Sequence, residues 1–235
     1  MIDWSGSMVD ERGAYHFANL PAGAYDLYAA FGTSGEVSYL QRLELAPGES
    51  RRLDLSLAPG GLSGRAAASD GAPLFGANVI VWREVGNDWV FAARALADEQ
   101  GNWIARSLPP GRYRAGIYDV RGRWAAARLE GLAVQDGLVS GIDTLHETGG
   151  HVAVRVTRRD GTPQAGATVT FRDSRGVVWE LVQDMTTGAD GVLRLDGVPV
   201  GTWQVSAQGG GLSQAGFVEV RATDVAEVTL SLPGS

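Results

Sequence analysis

Apolar and polar residues alternate along most of this 235-residue chain, in short runs broken by glycine and proline. Between Gly13 and Gly23 the apolar positions are Tyr15, Phe17 and Leu20; between Gly101 and Gly111 they are Trp103, Ala105 and Leu108. Between Gly191 and Gly201 they are Leu193, Leu195 and Val198. A period of two puts successive side chains on opposite faces, the pattern of a half-buried strand. After each second glycine an aromatic stands at the same place, Tyr25, Tyr113 or Trp203, and opens another alternating run. The turns in between read Leu20-Pro21-Ala22-Gly23, Leu108-Pro109-Pro110-Gly111 and Val198-Pro199-Val200-Gly201. Each joins a proline, whose φ is preset, to a glycine that tolerates positive φ, as hairpins require. No segment longer than about ten residues carries a 3.6-residue apolar period, so the chain is expected to be all-β with little or no helix.

These segments are copies of one unit. The leading glycines Gly13, Gly101 and Gly191 are 101 − 13 = 88 and 191 − 101 = 90 residues apart, and Gly23, Gly111 and Gly201 repeat the spacing. Two copies also share an earlier stretch, Asp70-Gly71-Ala72-Pro73 and Asp160-Gly161-Thr162-Pro163, leading to Gly76 and Gly166. A repeat of about 90 residues follows. In the second copy it predicts strands at 61–68, 76–85, 89–97, 102–108, 112–120, 123–134 and 138–145. Seven short strands divided by turn clusters form a Greek-key β-sandwich, and the chain is a tandem array of them. The expected division is a truncated first repeat at 1–58, a second at 59–147 and a third at 148–235. Aligning the copies sets Met1 opposite Trp89 and Trp179, which leaves the first two strands out of copy one. Its core face and a strand edge would stand open. Either the sequence is part of a longer array or another strand fills the gap, and a partner could supply it by β-augmentation, making a homo-oligomer through the open edge of repeat one.

The string Asp70, Gly71, Pro73, Gly76, Ala77, Val79, then Asp98, Gly101, Trp103, then Leu108, Pro109, Gly111, Tyr113 resembles the carboxypeptidase regulatory-like domain, one of the transthyretin-like (prealbumin-like) β-sandwiches. The third copy matches from Asp160 through Trp203. The resemblance implies the sandwich fold and a secreted or cell-surface setting. Such domains occur as accessory modules beside peptidases, in surface and adhesion proteins, in outer-membrane receptor extensions and in carbohydrate-associated proteins, so it implies no single function. A related surface-protein group crosslinks its sandwiches through a lysine, and that feature does not carry over here.

Composition narrows the chemistry. All 20 basic residues are arginine; without lysine there is no P-loop lysine, no Schiff base and no isopeptide bond. The absence of cysteine excludes disulfides, thiolate zinc sites and a cysteine nucleophile. A formal charge of −7 with arginines in short clusters argues against nucleic-acid partners. No apolar run approaches a membrane span, so no membrane insertion is expected. There is no G-x-S-x-G, H-E-x-x-H or Walker motif, and the three histidines are His16, His146 and His151. His146 and His151 flank Gly149-Gly150, where a solvated linker is expected rather than a metal site; His16 is expected to face solvent from a strand. Asp10-Glu11 and Asp98-Glu99 precede turn glycines, where Asp bonds to the backbone two residues on. Calcium would need six to eight oxygens that these loops do not offer.

Of the seven tryptophans, Trp89 and Trp179 recur at one position, alternating with Phe91 and Leu181, and are expected in the core; Trp103 and Trp203 are expected to be structural too. Trp82, with Arg83 beside it, and Trp124 are not repeated and are the candidate ligand-binding residues. No acid, base and nucleophile emerge together, and no cofactor is implied. The reading is a non-catalytic structural, adhesive or protein-interaction array, its copies joined by the short linkers Ala58-Pro59-Gly60-Gly61 and Thr148-Gly149-Gly150. One alternative is a carbohydrate- or peptide-binding accessory module of an enzyme or receptor. Another is a self-assembling filament or surface-layer subunit completed by strand exchange. Partners are therefore other protein chains or glycans.

Overall fold

The computed structural model describes residues 6–32, 35–174, 178–179 and 185–233. Its strands, in chain order, are β1 (Gly23–Phe31), β2 (Glu36–Leu45), β3 (Gly60–Ala68), β4 (Asn78–Val85), β5 (Asp88–Leu96), β6 (Asn102–Leu108), β7 (Gly111–Tyr118), β8 (Ala127–Val134), β9 (Leu138–Val139), β10 (Thr144–His146), β11 (Gly150–Thr157), β12 (Thr168–Arg172), β13 (Val178–Trp179), β14 (Val192–Val198), β15 (Gly201–Gly209), β16 (Leu212–Val220) and β17 (Val225–Ser231). No helix occurs among the described residues, and the all-β reading of the periodicity holds.

The strands form two sandwiches. In the first, the sheet β1-β2-β5-β4-β7-β8 faces β10-β3-β6, with β9 also pairing β3. In the second, β13-β12-β15-β16 faces β14-β11-β17. Each pair of sheets encloses its own core. Leu62, Val79, Val81, Trp103, Tyr113 and Ile117 fill the first, and Val154, Phe171, Leu195, Trp203 and Val205 lead the second. In the second core Phe171, Trp179 and Trp203 meet at centroid separations of 5.5–6.4 Å, mostly edge to face, an arrangement aromatic quadrupoles favour.

The repeated glycine has a steric reason. Gly101 sits at φ +81°, and a Cβ there would overlap the Ala66 carbonyl and press on Pro73. Gly191 stands in the same place against Val156 and Pro163, at φ +71°. At Gly13, φ +79°, a Cβ would meet nothing within 4 Å among the described residues.

The first 58 residues depart from expectation. The alternating run at Tyr15 and Phe17 is not a strand: a strand needs a ladder partner, and among the described residues no strand pairs with it. What does form is the hairpin β1–β2, and β2 adds to the edge of the next repeat's sheet, pairing Val37 with Arg94 and Ser38 with Ala93. Trp89 is a second departure: it lies half-buried on the outside of the sheet. Between the pairs Val81–Ala93 and Trp82–Phe91 the register shifts, leaving Ala92 as the extra residue of a bulge. One extra residue reverses the alternation, so Ala93 and Ala95 point in while Phe91 and Trp89 point out. Trp179 does enter the core, as expected; its neighbour Leu181 lies outside the described residues.

Candidate functional site

Trp82, Arg83 and Trp124 occupy three separate places. Trp82 lies half-buried on the outer face of β4. The Arg114 guanidinium carbon stands 5.3 Å from its ring centroid and 4.7 Å from that of Trp89. Arg114 is only 6% exposed, so these cation–π contacts act where water screens little. Beside them Arg128 and Trp179 close a cleft of about 10 Å³, room for about one water molecule and too little for a sugar ring. Arg83 braces the Pro109-Pro110-Gly111 turn, donating from Nη2 to the Pro110 carbonyl at 2.9 Å. Trp124 stands at the boundary of the two sandwiches. Its backbone N–H donates to the Asp119 carboxylate at 3.2 Å, its backbone also bridges to Thr148, and its side chain packs on the first core.

The histidines also differ from expectation. His146 belongs to β10 and is 1% exposed, with Nδ1 2.8 Å from the Ala125 carbonyl and Nε2 2.9 Å from the Thr144 hydroxyl. Burial pushes its pKa down, against smaller opposing pulls from the Ala125 carbonyl and Asp119. The Gly149-Gly150 segment is therefore a packed connection and no solvated linker. His151 lies on β11 with Nδ1 2.6 Å from the Asp196 carboxylate, and His16 is exposed but not on a strand. The turn acids serve their turns: Asp10 accepts from the N–H of Arg12 and Ala14, and Asp98 from those of Gln100 and Asn102. Among the described residues no three metal-ligating side chains gather, and no helix is long and apolar enough to cross a membrane.

The most built feature is one that periodicity does not reveal: the junction between successive repeats. It centres on a left-handed residue just before the proline turn of each copy, Ser107 in β6 at φ 58° and Gly197 in β14 at φ 66°, with Asn19 at φ 58° in copy one. At the first junction Glu36, 2% exposed at the start of β2, accepts from the Arg106 N–H at 2.9 Å and pairs with its guanidinium. The Ser38 hydroxyl returns a bond to the Arg106 carbonyl at 2.6 Å. At the second, residues leading into β8 meet the corresponding stretch of β14: the Ala126 N–H donates to the Gly197 carbonyl at 3.0 Å. Here the backbones themselves come close. A Cβ on Gly149 would lie 2.7 Å from the Gly197 Cα, and one on Gly197 the same distance from the Trp124 carbonyl oxygen. Two chemistries, an ion pair and a backbone clasp, thus fasten the same two parts of the repeat. Aromatics reinforce the first junction, where Tyr28 contacts both Tyr39 and Phe91 at 5.6 and 5.9 Å.

Residues 151–233 match the family model of the carboxypeptidase regulatory-like domain. No curated protein matches the chain. Among solved structures it is similar to the Bacillus anthracis TIE protein at 15% identity and TM-score 0.33, covering 96% of this chain and 44% of that one. It is also similar to the minor pilin GBS52 of Streptococcus agalactiae, at 14% identity and TM-score 0.34 over 75% of this chain and 96% of that one. The shaft pilin SpaA of Lactobacillus rhamnosus GG follows at 11% and 0.34, over 74% and 97%. The chain thus spans less than half the length of the first of these, and at such scores nothing about function follows from the likeness.

Proposed function

We propose that this chain is a load-bearing part of a non-catalytic array of β-sandwich repeats, secreted or held at a cell surface, whose work is to span distance and contact other protein chains. The observation that carries this reading is the pairing of first strand with last. β11, which opens the third repeat, runs parallel to β17, which closes it, through seven pairs from His151–Val225 to Thr157–Ser231. β3 is held in the same sense by β10 and β9. Force applied through the ends of the repeat pulls two parallel neighbours in opposite directions, so the whole ladder is sheared at once. A hairpin pulled at its open end would unzip one bond at a time.

The division that goes with this reading is a remnant repeat at 1–58 and full repeats at 59–147 and 148–235. The remnant is secured by Glu36 and the third repeat by the clasp at Gly149 and Gly197, which supports continuous transmission of load. The extracellular setting follows from the company that regulatory-like domains keep, beside secreted enzymes and in surface proteins.

Pulling single molecules by their ends tests this. Two resolved unfolding events are expected, the stronger from the third repeat with its seven first-to-last pairs, the weaker from the second with five across two short strands. Gradual extension without resolved events would contradict it.

A further inference from the structure

The outer face of the sheet β14-β11-β17 carries a cleft of about 490 Å³, a size that suits a small ligand. The register fixes its plan. On β11, His151, Ala153 and Arg155 turn outward while Val152, Val154 and Val156 enter the core, as strand alternation requires. Beside them on β17 stand Val225, Glu227 and Thr229, in that order, and on β14 stand Asp196, Arg194 and Val192. Ala153 has the smallest side chain of the nine and lies at their centre, so the face is hollow there. Val225, Ala153 and Val192 make an apolar diagonal across the floor, with charged groups on both sides of it.

On the side of β14 the charges are already paired. His151 Nδ1 lies 2.6 Å from the Asp196 carboxylate, and Arg194 Nη1 lies 3.0 Å from that of Asp190. On the other side Arg155 and Glu227 are exposed, opposite in sign and on adjacent strands. Among the described residues neither side chain makes a hydrogen bond or an ion pair. The second copy shows what else this place can do. Arg65, 155 − 65 = 90 residues before Arg155, donates to the Gln100 and Gly71 carbonyls. The strand beside it is divided into β9 and β10, and the Ile142 backbone crowds Gly64, so the second copy has no such hollow. Nor does the packing of one repeat on the next close this face. The third repeat lies against β4, β7 and β8 of the second, where Trp179 meets Trp82, Arg114 and Arg128, and it leaves Arg65 and Asn102 exposed on the outside of β3 and β6.

We propose that the cleft binds a zwitterion of the amino-acid type, with its carboxylate on the Arg155 guanidinium, its ammonium on the Glu227 carboxylate and an aliphatic side chain along Val225, Ala153 and Val192. A guanidinium meets a carboxylate through two parallel N–H donors, and a carboxylate accepts from an ammonium. Two unpaired groups of opposite sign, side by side, therefore select a ligand that carries both charges close together. An acid without the ammonium leaves Glu227 unmatched, and an amine without the carboxylate leaves Arg155 unmatched. The site does not depend on the array reading, and either can fail without the other.

Titrating the nitrogen-15-labelled chain with L-leucine tests it. Saturable amide shifts are expected in residues 151–155, 192–196 and 225–229, with those of β4 and β7 unmoved. Arg155→Gln and Glu227→Gln, both at exposed positions outside the core, are each expected to weaken binding about tenfold or more, the scale of a lost charge-assisted bond. Ala153→Phe, which fills the hollow, is expected to abolish it. N-acetyl-leucine, which lacks the ammonium, and leucinamide, which lacks the carboxylate, are expected to bind more weakly than leucine by a similar factor. The site is overturned by the absence of saturable shifts with leucine, by an affinity indifferent to any of the three substitutions, or by equal binding of either blocked compound.

Discussion

Three aromatic side chains at equivalent positions make one bond. The Tyr25 hydroxyl donates to the Pro21 carbonyl, the Tyr113 hydroxyl to that of Pro109, and the Trp203 ring N–H to that of Pro199 at 2.9 Å. The proline turn has no other use for that carbonyl, and the aromatic ring on the next strand lies in reach of it. Tyr113 is fully buried, so Tyr113→Phe strands a polar atom without changing shape. A loss of about 1–2 kcal/mol follows from the usual cost of an unmade buried bond, read as a shift in the denaturant midpoint at unchanged slope. His146 carries a pH dependence. Burial lowers its pKa in the folded state, so as pH falls the unfolded chain takes the proton first. Its contribution is therefore complete above about pH 6.5, the ordinary histidine value, and is lost below it. Unfolding curves from pH 7.5 to 5.5 are expected to show a fall in stability that His146→Gln reduces; equal falls would refute this. At this scale the sequence told which aromatics are inward when alternation was unbroken, as at Trp103, Tyr113 and Trp203. It misplaced Trp89 because the bulge at Ala92 has no compositional mark, and it misread His146 because two flanking glycines suggest solvent while a buried imidazole with two partners leaves no pattern.

Strand limits in the second repeat were legible to within a few residues, because proline and glycine punctuate each end, except that the single strand expected at 138–145 is broken into β9 and β10 around Gly141. The fate of an element without its partners was not. Tyr15 and Phe17 alternate as well as Trp103 and Ala105 do, yet no strand forms around them, since a ladder is a property of two segments. The hairpin β1–β2 shows the converse: its own sequence says nothing of the edge it covers, because that pairing joins residues more than fifty apart. Glu36 fastens it. Removing that carboxylate leaves the Arg106 N–H without its acceptor and the hairpin with only two register pairs to β5. In Glu36→Ala, amide exchange is expected to quicken across β1 and β2 while β11, β14 and β17 keep their protection. Uniform quickening throughout, or none, would show that the hairpin is not secured there. Gly197→Ala probes the second junction. At φ +66°, with a Cβ 2.7 Å from the Trp124 carbonyl, alanine adds backbone strain to a clash, and a loss of about 1–3 kcal/mol is expected in the same denaturant assay.

Across the whole molecule, the repeat itself was the clearest message of the sequence, since turn glycines at spacings of 88 and 90 survive when most other residues change. How one repeat meets the next was hidden, because the two junctions share a place and no residue type: Glu36 with Arg106 at one, a backbone bond from Ala126 to Gly197 at the other. The array reading requires these junctions to be locks and not loose tethers. Nitrogen-15 relaxation across residues 60–233 tests that most directly. One common overall correlation time is expected for both sandwiches, separating into two when a flexible Gly-Ser segment is inserted between Thr148 and Gly149. Two independent correlation times in the unaltered chain would contradict it.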